Sequence, residues 1–155
     1  MKLRTYTDQD AEQIAFLLRE SVTELAGAFY TAEQVAVWAK SLPNAERIRK
    51  INETDRSTYV ASDANNAIQG FIDLEPDGHI DYLYVSPSMA GKGLASKLYD
   101  LVEMHASELG VDRLYTEASE HACRFFRKKN FVLVERRDFE IDGVSIHNFS
   151  MKKSL

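Results

Sequence analysis

The chain has one cysteine, Cys123, so no disulfide can form within it, which fits a reducing compartment. No apolar run approaches the ~18 residues that a membrane-spanning helix requires, and the N-terminus lacks the pattern of a secretory signal. The expected location is therefore the cytoplasm, away from membranes. Positive charge is also scarce. With 19 Lys and Arg against 24 Asp and Glu the net charge is −5, which argues against nucleic acid as the main partner, since phosphate contacts need clustered cations. The basic run Arg124 to Lys129 is too short to reverse that. The four histidines have no ligand-like spacing, and no metal is expected. Internal repeats, low-complexity tracts and linkers are missing too, so residues 1–155 are expected to form one domain around one core.

What is present is a chain whose hydrophobic period changes along its length. Leu3 to Tyr6 reads as an opening strand. Thr7 and Asp8 offer a cap, after which Ala11, Ile14, Ala15, Leu18, Val22 and Leu25 repeat at helical spacing up to Gly27. Thr31 with Gln34 forms a capping-box pattern for a second helix carrying Val35 and Trp38, and a further short helix is expected over Asn44 to Ile51. Strand patterns then follow at Ser57 to Ser62, Ala67 to Leu74 and His79 to Val85, joined by turns at Ala64-Asn65-Asn66 and Pro76-Asp77-Gly78. A long helix runs from Leu94 to Gly110, a strand from Asp112 to Thr116, and a helix from Ser119 to Lys129. Two last strands, Phe131 to Ile141 and Val144 to Met151, meet at Asp142-Gly143, a strong hairpin signal. The expected order is β-α-α-β-β-β-α-β-α-β-β, an α/β chain with a mixed, mostly antiparallel central sheet flanked by helices. Ile80 to Val85 and Asp112 to Thr116 are expected to lie side by side as a right-handed parallel crossover.

The most informative stretch is Tyr84 to Ala95. An apolar strand stops at Pro87, Gly91 and Gly93 follow, and a helix begins at Leu94. Glycines let the backbone approach a ligand, and the unpaired amides and dipole of a helix start favour phosphate. A Walker A loop requires G-x-x-x-x-G-K-[ST], which Gly91-Lys92-Gly93 does not supply. A dinucleotide fingerprint fails as well, because Ser96 stands at its third glycine and antiparallel strands precede it.

A third reading covers more of the chain. Ala90-Gly91-Lys92-Gly93-Leu94-Ala95 resembles the Q/R-x-x-G-x-G/A coenzyme A loop of the Gcn5-related N-acetyltransferases, with Ala90 at the leading Gln/Arg. Ala122-Cys123-Arg124-Phe125-Phe126-Arg127-Lys128-Lys129-Asn130-Phe131 resembles that family's A-x-x-[apolar]-Y-x-k-x-G-F segment, with Asn130 at its glycine. Thr116 to Ser119 and Asn148 to Met151 are similar to a branch of small bacterial acetyltransferases. The resemblance spans about residues 57 to 152. It implies the acyl-CoA N-acyltransferase fold and acetyl-coenzyme A as co-substrate. The acceptor would be a primary amine on a small molecule or peptide, attacking directly. A non-catalytic acyl-coenzyme A-binding sensor or interaction module is the alternative.

The same resemblance places Leu83, Tyr84 and Val85 along the pantetheine arm, Ala90 to Ala95 at the pyrophosphate, and Phe126 near the sulfur, where relatives have a tyrosine general acid. Phenylalanine cannot donate a proton, so the thiolate would leave unaided, be protonated by water, or take its proton from Ser119, Cys123 or Tyr84. Asp81 stands where many relatives have a glutamate base. It would act through water or by orienting the amine, or else it caps the strand or pairs with a cation. His79, two residues earlier, is a second candidate base or a surface side chain beside the turn. Tyr30 and Trp38 would line the acceptor pocket or pack the core, and Glu117 would neutralise a cationic acceptor or sit solvated. Cys123 would carry the acyl group as a thioester or, with only His121 near it in sequence and on another side of the helix, is structural. The chain is expected to be a monomer or a homodimer joined through its C-terminal strands.

Overall fold

A computed structural model describes residues Met1–Leu155. The chain runs β1 (Lys2–Thr5), α1 (Ala11–Leu25), α2 (Ala32–Ser41), α3 (Ala45–Ile51), β2 (Ser57–Ser62), β3 (Ile68–Leu74), β4 (Leu83–Val85), α4 (Leu94–Glu108), β5 (Arg113–Ala118), α5 (Glu120–Lys128), β6 (Val132–Ile141) and β7 (Val144–Ser154). The expected elements are all present, with the short helix after Pro43 standing as α3. Local chemistry accounts for most of their ends. Thr31 and Gln34 form a reciprocal capping box on α2, the Asn44 side chain accepts from the Arg47 amide at α3, and Ser119 accepts from the Ala122 amide at α5. Asn130 leaves α5 at φ 69°, and Asp142-Gly143 turns the last hairpin at φ 48° and 78°. α1 ends at Leu25, before Gly27, because a short 3-10 turn over Ala26–Ala28 takes over its last carbonyls.

The strands form two antiparallel sheets, ordered β1-β2-β3-β4 and β5-β7-β6. The buried side chains form two clusters, one on each side of the first sheet's strands, rather than the one core expected. The first lies where α4 and α5 pack, with Leu98, Tyr99, Val102, Leu114, Phe126 and Met151 enclosed there. The other lies under α1, α2 and α3, around Ile14, Leu18, Ile48, Val60, Phe71 and Ile146. No helix is long and apolar enough to cross a membrane.

Two expectations for the middle of the chain are corrected. The strand expected over His79 to Val85 is confined to Leu83–Val85, and the parallel pairing expected beside β5 is reduced to one bridge between His79 and Tyr115. The cause is a one-residue shift in register. Ile72 pairs with Leu83 in the regular ladder, and the Asp73 amide still donates to the Tyr82 carbonyl at 3.1 Å, but the Glu75 amide reaches back to the His79 carbonyl at 2.8 Å. An unshifted ladder would have placed Ile80 opposite Glu75, so β4 carries one extra residue, which is a β-bulge. At the bulge the amides of Asp81 and Tyr82 both donate to Asp73 Oδ1, at 2.9 and 2.8 Å.

Candidate active site

Beyond the bulge the chain changes partner. The Ile80 amide donates to the Tyr115 carbonyl at 2.9 Å, the Tyr115 amide donates to the Gly78 carbonyl at 3.0 Å, and Thr116 Oγ1 donates to the Ile80 carbonyl at 2.8 Å. Gly78 is required here, since a Cβ would fall 2.0 Å from the Arg113 carbonyl oxygen. β4 and β5 share no ladder past this vertex, so they bound a V-shaped cleft that begins at Ile80–Tyr115.

The floor of the cleft is backbone. In an antiparallel ladder alternate residues turn their amides and carbonyls to the partner strand. Tyr82 and Ser86 bond toward β3, so Leu83 and Val85 turn their backbone groups into the cleft. Ser21 of α1 donates to the Val85 carbonyl at 3.2 Å, while the two amides and the Leu83 carbonyl face the opening. Both residues and Tyr84 thus lie where an extended arm can pair with a strand edge.

Past β4 the chain makes a 3-10 turn over Pro87–Met89, with the Ala90 amide on the Pro87 carbonyl and the Lys92 amide on the Met89 carbonyl, both at 3.2 Å. Gly91 and Gly93 have φ of 73° and 81°, and a Cβ on either would meet nothing within 4 Å. Gly93 caps α4 without any side-chain hydrogen bond, so the amides of Leu94, Ala95 and Ser96 begin the helix with no internal acceptor. The loop is therefore open in front, and Ala90, Gly91, Lys92 and Gly93 are accessible. Leu94 contributes backbone only, because its side chain is buried in the core.

The titratable candidates occupy defined partnerships. Asp81 is exposed, and its Oδ2 lies 3.1 Å from Nη1 of Arg56. That guanidinium also binds Asp73 and lies 3.5 Å from Glu75. Asp73 is only 2 % exposed, and burial pushes its carboxyl up to about 6 despite the Tyr82 amide and Arg56, which pull it down. His79 is bonded through Nδ1 to Glu75 at 2.8 Å and through Nε2 to Glu117 at 3.1 Å, and its ring stacks on Tyr115 at 4.7 Å. Burial lowers its pKa, but Glu117 and Glu75 outweigh that and bring it up to about 9. At neutral pH His79 is thus an imidazolium with both nitrogens engaged and no free lone pair. Glu117 is correspondingly held below its usual range by His79, which leaves it paired within the protein.

Ser119 Oγ accepts from the Ala122 amide at 3.2 Å as the N-cap of α5, at the splayed end of β5. Phe126 is 2 % exposed and lies edge-on to Phe131, Phe125 and Tyr99, so its ring offers no surface to the cleft. Cys123 is buried. Tyr30 is also enclosed. Its hydroxyl donates to the His147 carbonyl at 2.9 Å and accepts from the Glu120 amide at 3.0 Å, while its ring meets Trp38 edge-on at 5.4 Å. Trp38 remains half-buried.

The structure also brings forward residues that the sequence reading passed over. Tyr82 and Tyr84 flank Phe71 on the face toward α1 and α2, with ring separations of 6.0 and 6.2 Å. Burial pushes the Tyr82 phenol up to about 12 and raises that of Tyr84, so both keep their protons at neutral pH. Tyr82 had a sequence signal, its spacing of two from Tyr84. Asp73, Arg56 and Ser21 had none, since their partners are distant in sequence. No three His, Cys, Asp or Glu side chains meet as a metal-binding group.

Residues 27–155 match the family model described as acetyltransferase (GNAT) domain. Among curated proteins, the chain is 28% identical over 152 residues to the uncharacterized N-acetyltransferase YafP of Escherichia coli K12, covering 98% of this chain and 95% of that one. Among solved structures, a GCN5-related N-acetyltransferase from Rhodopseudomonas palustris is 32% identical with a TM-score of 0.89, covering 99% of this chain and 95% of the other. The PaiA N-acetyltransferase of Thermoplasma acidophilum, solved in complex with coenzyme A, has the same fold at 19% identity and a TM-score of 0.77, over 99% and 98% of the two chains.

Proposed function

Because this chain belongs to the GNAT acetyltransferase family, we propose that it transfers the acetyl group of acetyl-coenzyme A directly to a primary amine of a small molecule or peptide. The observation that carries the reading is the open loop at Gly91 and Gly93, whose left-handed glycines lead into the uncapped amides of α4. Such a start suits a pyrophosphate. The cleft edge at Leu83 and Val85 suits the pantetheine arm, which would lay the thioester between β4 and β5.

In the reaction the neutral amine nitrogen attacks the thioester carbonyl carbon, the carbon–sulfur bond breaks, and coenzyme A leaves as thiolate. An amide of the β4 edge is suited to donate to the oxyanion. Asp81, exposed near the vertex, would take the amine proton through water or hold the incoming ammonium until it is lost. His79 is not assigned as base, because it is already protonated at neutral pH. The thiolate is protonated by water, since Phe126 has no hydroxyl and burial raises the Tyr84 phenol well above a thiol; thiols ionise near pH ~8.5, so an unassisted departure is tolerable. The acceptor would approach from the side of Tyr82, Tyr84 and Trp38.

The test is twofold. Acetyl-coenzyme A should raise the melting temperature, since a ligand selective for the folded state stabilises it by mass action. Thiol release should then follow on adding one member of a panel of primary amines. No thermal shift at millimolar acetyl-coenzyme A rejects the reading. A second reading, a non-catalytic acyl-coenzyme A-binding module, is favoured by Phe126, where the family pattern has a tyrosine. Tight binding without turnover on any amine would support it.

A further inference from the structure

Asp73 lies at the point where the chain leaves one sheet and joins the other, and it does work there that the backbone cannot. In a regular ladder the Tyr82 amide would bond the Asp73 carbonyl, and the extra residue at the bulge would leave the Asp81 amide without an acceptor. Asp73 Oδ1 takes both amides instead. Its Oδ2 binds the Arg56 guanidinium, which spans to Asp81 as well. The carboxylate is 2 % exposed and the guanidinium is 10 % exposed. Buried charges are costly unless they are paired and hydrogen-bonded, and here the pairing is spent on fixing two consecutive amides.

The consequence reaches the cleft. The bulge turns the chain so that Gly78 and Ile80 pair with Tyr115, while Leu83 and Val85, two and four residues past the forked Asp81 amide, keep their free edge. We propose that Asp73, clamped by Arg56, is a positioning residue that holds β4 splayed from β5 and so sets the strand edge against which the coenzyme A arm lies. The inference rests on the coenzyme A reading given above for its ligand, and on the hydrogen-bond fork alone for its structural half. Arg56 has a second effect through the same contact, since it also orients Asp81 at the vertex.

The experiment compares coenzyme A dissociation constants by calorimetry for the parent, Asp73→Asn, Asp73→Ala, Arg56→Gln and Leu17→Ala. It is paired with amide hydrogen exchange of the unliganded proteins. Asn retains the acceptor oxygen of the fork, so Asp73→Asn should bind coenzyme A within about threefold of the parent, whereas Asp73→Ala should bind about tenfold or more weakly. Leu17→Ala removes a buried side chain of α1 that makes none of the fork's hydrogen bonds and serves as the destabilised control, with lower melting temperature and parental affinity. Exchange at Asp81 and Tyr82 should speed up in Asp73→Ala and stay protected in Asp73→Asn. Arg56→Gln leaves the fork in place without its clamp and should give an intermediate loss of affinity, which keeps the test decisive if Asp73→Ala does not fold. Parental affinity in Asp73→Ala, or a loss no larger than that of Leu17→Ala, overturns the positioning role. If the parent itself fails to bind coenzyme A, the ligand reading falls, and unchanged exchange at Asp81 and Tyr82 in Asp73→Ala would sink the fork independently.

Discussion

Ile80 and Tyr115 are joined by a backbone hydrogen bond of 2.9 Å, and with the return bond from Tyr115 to Gly78 it is the hinge line of the candidate site. Below it the two sheets are stitched together; above it β4 and β5 separate. The glycine loop follows β4 and the Ser119 cap follows β5, so both stand at the open end of the V. A fold that pairs two strands only at their near ends leaves exposed backbone between them, and that is what an extended ligand can use.

Replacing Gly91 and Gly93 together by valine should abolish the coenzyme A-induced rise in melting temperature. Each glycine sits at positive φ, where a side chain costs roughly 1–2 kcal/mol. The space around each is open, so the damage to folding should be limited to that backbone term. The loss of binding should be complete, because a β-branched side chain fills the approach to the α4 amides. A double variant that binds as well as the parent would show that the loop is not the phosphate site.

The loop was legible in the sequence because its signal is local: Pro87, two glycines and a helical period within a dozen residues. The helix ends were legible for the same reason, with Thr31–Gln34, Ser119 and Asn130 each acting within a few positions. The bulge was not. His79 to Val85 reads as one continuous strand, and periodicity does not reveal that a carboxylate eight and nine residues upstream claims the amides of Asp81 and Tyr82. Tyr30 was hidden in the same way. As an aromatic in the helical N-terminal region it suits a pocket wall, yet its hydroxyl is committed to residues 117 and 90 positions away.

Asp81→Asn should lower kcat by about 10²–10⁴ while leaving coenzyme A affinity near that of the parent, if Asp81 manages the amine proton. Asn keeps the size and some of the contact with Arg56 but takes no proton. Steady-state rates and calorimetry on the same preparation separate the two effects. Unchanged turnover would remove Asp81 from the mechanism.

The His79 cluster should make stability depend on pH on the alkaline side. Its folded pKa of about 9 lies above the 6.5 of a free imidazole, so the folded state holds the proton more tightly. The stabilisation is present in full below about pH 6.5 and is lost as pH rises through about 9. It should amount to roughly 1–3 kcal/mol. Urea midpoints at pH 6, 7.5 and 9.5 should therefore fall for the parent and flatten for His79→Gln across that window. Parallel curves for the two proteins would mean that Glu75 and Glu117 do not hold the imidazolium.

Phe126→Tyr restores the hydroxyl of the family pattern, and the structure gives it nowhere to act. The ring is packed among Phe125, Phe131 and Tyr99, so a new hydroxyl there would be buried without a partner. That costs about 1–3 kcal/mol. The expected result is a lower melting temperature with kcat unchanged. A rise in kcat of tenfold or more would show that the ring reaches the sulfur and that this chain lost its general acid at that position.

Tyr30→Phe separates a pocket wall from a structural brace. The hydroxyl ties the His147 carbonyl of β7 to the Glu120 amide that opens α5, and burial raises its pKa so that it remains a donor at neutral pH. Removing it leaves a carbonyl and an amide unpartnered in a buried setting, at about 1–3 kcal/mol. For a chain of this length each kcal/mol lowers the melting temperature by roughly 2–4 °C. The ring itself stays against Trp38, so the acceptor KM should not move. A KM shifted severalfold with an unchanged melting temperature would instead put the Tyr30 hydroxyl in contact with the acceptor, and the brace would have to be assigned to the neighbouring His147–Glu120 pair, which already spans β7 and α5 at 2.8 Å.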